Sequence, residues 1–108
     1  MRKVGGTLTV AACLFLNISA AHAAKWVNTG HNILIDVDSI RKAADGLVYY
    51  NDLSELYPEL GPSTRAYDCQ KGISYYSLTD PNWKSKGNKI MPGTMGNELL
   101  KFVCSRVR

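Results

Sequence analysis

The feature that most limits this chain is a pair of cysteines placed downstream of an export-type leader. Arg2 and Lys3 give a positive start, and Val4 to Ile18 is mostly apolar and uncharged. Ser19-Ala20-Ala21-His22-Ala23-Ala24 then sets the small residues Ala21 and Ala23 at the −3 and −1 positions of a cut site. This is the three-part layout of a secretory signal peptide, with cleavage expected after Ala23. Residues 1–23 read as the signal peptide and residues 24–108 as one domain, which is 85 of the 108 residues. A single core is marginal at that size, so a staple is expected. Cys69 and Cys104, an even pair in an exported chain, read as that staple. A disulfide closing the 34 residues between them would contribute about 3–4 kcal/mol in the chain-entropy picture. Two reactive thiols are the weaker reading, because there is no Cys-x-x-Cys spacing.

The leader bears on location. Its apolar run is short for a span of about 20 residues, so no transmembrane span is expected after cleavage. A competing reading takes Val10-Ala11-Ala12-Cys13 as a lipoprotein box with a lipid anchor at Cys13. Only twelve residues would then precede the cut, and the apolar run continues through Leu14-Phe15-Leu16. The expected destination is the periplasm, or the cell surface and medium.

Charge adds little. The full chain has 13 Lys and Arg against 9 Asp and Glu, a net +4. Without Arg2 and Lys3 the count is 11 against 9, a net +2, which is no polyanion signal. Lys84, Lys86 and Lys89 form the one basic run, in a Gly/Asn/Ser/Pro loop with no nucleic-acid-binding pattern. No nucleic-acid partner is expected.

Along the domain, Lys25-Trp26-Val27 reads as a short strand, Asn28 to His31 as a turn, and Asn32 to Val37 as a second strand. Asp38-Ser39 reads as the cap of a helical turn over Ile40 to Ala44. Leu47 to Leu56 is a long strand whose two faces are both partly covered. Tyr57 to Pro62 is a loop with two prolines. Thr64 to Gln70 and Ile73 to Thr79 form a hairpin about Lys71-Gly72, and Asp80 to Gly93 is loop-like. Thr94 caps a last helix in which Met95, Leu99 and Val103, widened by Leu100, form an apolar stripe ending near Cys104. The fold class is α+β: an antiparallel β-sheet with a C-terminal helix packed on one face and tethered by the disulfide.

Few residues suggest catalysis. His31 is the one histidine of the domain and stands at a predicted turn, with no nucleophile and orienting acid beside it. With both cysteines engaged, a zinc site lacks ligands, and nothing specifies haem or another cofactor. Asp36 and Asp38 would share a strand face, but their bland roles are to end a strand and cap a turn. No glycine-rich phosphate loop is present. The chain is therefore read as non-enzymatic and without cofactors. The tyrosines are the better lead. Tyr49-Tyr50 and Tyr75-Tyr76 must each split between opposite strand faces. Tyr50 and Tyr76, or their neighbours, are expected outside as contact area for a protein partner, against the alternative of cross-strand pairing within the sheet. Open sheet edges also allow a homodimer.

Trp26-Val27, Leu34-Ile35-Asp36-Val37-Asp38-Ser39-Ile40-Arg41-Lys42, Tyr67-Asp68-Cys69, Trp83, and the run from Pro92-Gly93-Thr94 to Cys104 occur in an order that resembles the surface-adhesin protein E family of small exported proteobacterial proteins. The resemblance covers nearly all of the domain. It implies an antiparallel sheet, a C-terminal helix and Cys69–Cys104 pairing. It also implies a binding module, with adhesion to host matrix proteins as the role. The matched residues are caps, turns, core and cysteines, so the role transfers less directly than the fold. The alternative is a periplasmic accessory protein that binds or inhibits an envelope partner.

Overall fold

The computed structural model describes residues 24–107. The leader, its cut site and the Cys13 alternative lie outside the described residues. Six strands, β1 (Trp26–Asn28), β2 (Ile33–Lys42), β3 (Val48–Ser54), β4 (Ser63–Asp68), β5 (Ile73–Tyr75) and β6 (Asn88–Lys89), precede one helix, α1 (Met95–Cys104). The strands pair antiparallel in chain order, so the sheet is an up-and-down meander. With α1 across one face and a Cys69–Cys104 disulfide, the fold is α+β with a disulfide-tethered helix. No helix among the described residues is long and apolar enough to cross a membrane.

One stretch departs from expectation. Ile40 to Ala44 is not a helical turn, because β2 runs on to Lys42. The pairs Asp36↔Asn51 and Arg41↔Tyr49 bracket four residues on β2 but only Tyr50 on β3, a surplus of three. Side chains hold this bulge. Ser39 Oγ donates to the Asp36 carbonyl (2.6 Å) and accepts from Asn51 N (2.8 Å). Asp36 Oδ1 accepts from Asp38 N and from Lys25 N, the residue just before β1. The polar Asp-x-Asp-Ser segment that resembles a helix cap instead satisfies the backbone of a bulged strand. An odd surplus reverses the strand's facing, so Ile35 and Ile40 are both buried in the core on the helix side.

The helix face of the sheet carries Ile35, Ile40, Val48, Tyr50 and Tyr67, closed by Val103 of α1. Thr94 caps α1 as expected, its Oγ1 accepting from Asn97 N at 3.2 Å. Of the predicted stripe, Val103 is buried and Leu99 and Leu100 pack against the core, while Met95 overhangs it.

The opposite face is covered by the loop before β6. Tyr49, Ala66 and Tyr75 stand in one cross-strand row. Ala66 is wholly buried, and Trp83 meets the two flanking tyrosines edge-on at 6.2 and 5.5 Å between ring centroids. The Tyr49 hydroxyl donates to Asp45 Oδ2 (2.6 Å), and Lys84 pairs with the same carboxylate at 3.2 Å. Burial and that bond to Asp45 push the Tyr49 hydroxyl up to about 12. The run expected as strand to Thr79 stops at Tyr75, and Ser77 turns the chain with a φ of 54°.

Candidate functional site

A groove opens between the first turn of α1 and the end of the sheet where β2 begins and β3 ends. Its volume is about 280 Å³, and Ile33, Tyr50, Asp52, Arg65, Tyr67, Tyr76, Met95 and Leu99 line it. The meander register builds it. Tyr50 stands opposite Arg65 in the β3–β4 pair, and Asp52 stands opposite Ile35 in the β2–β3 pair. Alternation therefore places Tyr50, Asp52 and Arg65 on the face that α1 covers.

Asp52 and Arg65 form the polar centre. Arg65 Nε donates to Asp52 Oδ2 at 2.6 Å, with side-chain exposures of 31% for Arg65 and 8% for Asp52. Loss of hydration on burial outweighs the attraction of Arg65, so the Asp52 carboxyl is pushed above its ordinary value. The Arg65 guanidinium also lies over the Tyr76 ring, 4.9 Å from its centroid. The guanidinium is thus held at Nε by a carboxylate and stands over an aromatic ring. Among the described residues, no acceptor bonds its two Nη groups. Beneath, the Tyr50 and Tyr67 rings stack at 5.0 Å. Burial pushes the Tyr67 hydroxyl up to about 12 and the Tyr50 hydroxyl further.

The expected contact residues separate here. Tyr50 is 2% exposed, which corrects the expectation that it lies outside. Unbroken alternation along β3 puts Val48, Tyr50 and Asp52 on the helix-facing side, and stacking on Tyr67 makes Tyr50 a core residue. Tyr76, 41% exposed, is on the groove rim. His31 is half-buried in the β1–β2 turn. Lys84, Lys86 and Lys89 each have an internal partner: Asp45, Asp80 and the Lys71 carbonyl. Among the described residues, no group of three or more His, Cys, Asp or Glu could hold a metal ion. The outermost strands, β1 and β6, are three and two residues long, and edges that short offer little backbone to a second copy.

Asp52 and Arg65 were not singled out in the sequence, and Met95 was read only as the first residue of the helix's apolar stripe. The signal was present in β3, where an acid follows Val48 and Tyr50 at strand spacing. A charge on an otherwise apolar face requires a buried partner.

A second surface lies beside the groove's end of the sheet. The β3–β4 loop exposes Leu56 (63%), Tyr57 (60%) and Leu60 (76%). Its backbone is tied down: Glu55 N donates to the Asn32 carbonyl, Tyr57 N to Ser54 Oγ, and Leu60 N and Gly61 N close a single turn of 3₁₀ helix over Pro58–Leu60. No family model, curated protein or solved structure matches the chain.

Proposed function

We propose that this chain is an exported, non-enzymatic protein-binding module of the surface-adhesin protein E type, acting in adhesion to host matrix proteins. The observation that carries the reading is the β3–β4 loop. Three large apolar side chains, Leu56, Tyr57 and Leu60, stand more than half exposed on a hydrogen-bonded turn. A small domain that spends its core residues sparingly would bury them if they served only the fold. Presented on a tied backbone, they are contact area whose ordering cost is already met. Tyr76 on the groove rim is the second proposed contact. The Cys69–Cys104 disulfide supports an oxidising destination.

The test uses surface plasmon resonance of the oxidised protein over immobilised host matrix glycoproteins, with Tyr57→Ser and Leu60→Ser variants. Both side chains are too exposed for the changes to disturb folding. The expected result is saturable binding that weakens at least tenfold in each variant, about 1.4 kcal/mol. Equal binding by wild type and variants refutes the assignment to this loop. If matrix proteins do not bind and a photo-crosslinker at Leu60 captures one envelope protein in living cells, the accessory role replaces adhesion. In that case the loop is still the contact.

A further inference from the structure

We propose that the groove between α1 and the sheet is a binding site for an aliphatic carboxylate, a carboxyl group on a short unbranched hydrocarbon chain. The inference is independent of the β3–β4 loop. It rests on how Arg65 is presented. Asp52 accepts from Nε, and the guanidinium carbon stands 4.9 Å from the Tyr76 ring centroid. The carboxylate of this pair is covered, while the guanidinium is the more exposed partner. Two Nη groups, four N–H donors, are therefore left in a fixed plane and unbonded by any described residue. That fork matches a carboxylate, which accepts two parallel bonds from it. Fixing Arg65 in advance lowers the ordering cost of binding.

The rest of the groove selects what the carboxylate is attached to. Ile33, Met95 and Leu99 supply apolar wall, and Met95 is 53% exposed at the mouth. The Tyr50 and Tyr67 hydroxyls belong to buried side chains stacked on one another. The walls thus give a peptide's amide groups few partners, whereas a hydrocarbon chain needs none. A volume of about 280 Å³ is at the small end for ligand sites, which run from about 300 Å³ upward. It suits a short chain rather than a long one.

The probe is octanoate, titrated into the purified oxidised protein by calorimetry, with the Arg65 Nε–H resonance followed by ¹⁵N NMR. Octanol and octylamine test the need for the anion, and N-acetyl-leucyl-leucine tests a peptide terminus. The expected result is saturable octanoate binding that shifts the Arg65 signal, with at least tenfold weaker binding of octanol and octylamine. Replacing Arg65 would strand the buried Asp52 charge and could unfold the chain, so the decisive variants are at the rim. Met95→Glu should weaken octanoate at least fivefold, by like-charge repulsion added to the loss of apolar wall, and clearly more than the neutral Met95→Gln, which loses the wall alone. The proposal fails if octanoate leaves the Arg65 signal unmoved up to 10 mM. It also fails if octanol or octylamine binds as well, if Met95→Glu binds like wild type, or if the dipeptide binds more tightly than octanoate.

Discussion

Removing the disulfide should take away most of the stability of this domain. Cys69 and Cys104 are 35 residues apart in sequence. For a loop of that length the chain-entropy relation gives about 13 cal/mol/K, or about 4 kcal/mol at 25 °C. A domain of this size stands near the lower end of the usual range, about 5 kcal/mol. The remaining stability is then about 1 kcal/mol, and the midpoint of thermal unfolding should fall by about 15–30 °C at 4–8 °C per kcal/mol. The perturbation is the double variant Cys69→Ala/Cys104→Ala, compared with oxidised wild type in urea titrations followed by Trp26 and Trp83 fluorescence. Reduced wild type serves as a control that keeps both side chains, which pack against the core. Helicity at 222 nm shows whether α1 leaves first, since the bond ties its last residue to the segment after β4. A loss below about 1 kcal/mol in both the variant and the reduced protein would refute the reasoning. Val103 and Leu99 would then already restrain the helix without a covalent tie.

Gly87→Ala should destabilise by about 1–3 kcal/mol. An added Cβ would lie 2.5 Å from Ile73 Cγ2 and 2.7 Å from Tyr75 Cε1, a ring already in contact with Trp83, so altered Trp83 fluorescence should accompany the loss in a urea titration. Ser39→Ala should cost about 1–3 kcal/mol by leaving Asn51 N without its acceptor, and Ser39→Thr should recover most of that by the same assay. Asp52 should give stability a slope with pH. Its folded-state pKa is raised above the ordinary 3.8, so the folded protein holds this proton more tightly than the unfolded chain. The stabilisation is full below that value and is lost as pH rises through the raised one. Unfolding free energies of wild type relative to Asp52→Asn should therefore decline across that window, and a constant difference would show that Asp52 is not the group responsible.

Much of the fold could be read before the structure, because its signals are local. The Thr94 cap, the helix stripe through Val103, the hairpin about Gly72 and the cysteine pair each rest on a few adjacent residues. The bulge in β2 was misread for the same reason. Asp38-Ser39 before an apolar residue is a good helix start by local rules, and only the register against β3 shows that Ser39 serves Asn51 instead. Tyr50 was misplaced because alternation states that neighbours face opposite ways but not which way is inward. The groove was the least legible part. Asp52 and Arg65 are thirteen residues apart, and Met95 comes from the far end of the chain, so their meeting depends on tertiary packing. The Trp83 cover on the second face was hidden for a related reason, since nothing about a Gly/Asn/Ser/Pro loop announces which sheet face it crosses.

The surplus of three residues in β2 acts as a phase shift, and phase is not conserved by small insertions or deletions. Upstream of it the apolar rhythm that faces α1 falls on Ile33 and Ile35; downstream it falls on Ile40. If the bulge keeps its surplus of three, losing one residue between Asp36 and Arg41 slips the downstream register by one, setting Lys42 opposite Tyr49 and turning Arg41 to the core side in place of Ile40. Losing two would restore the facing, and an insertion of two would keep it. Length variation in this segment is thus tolerated only in even steps, and a chain that differs by one residue here would need the opposite polar pattern on one side of the change.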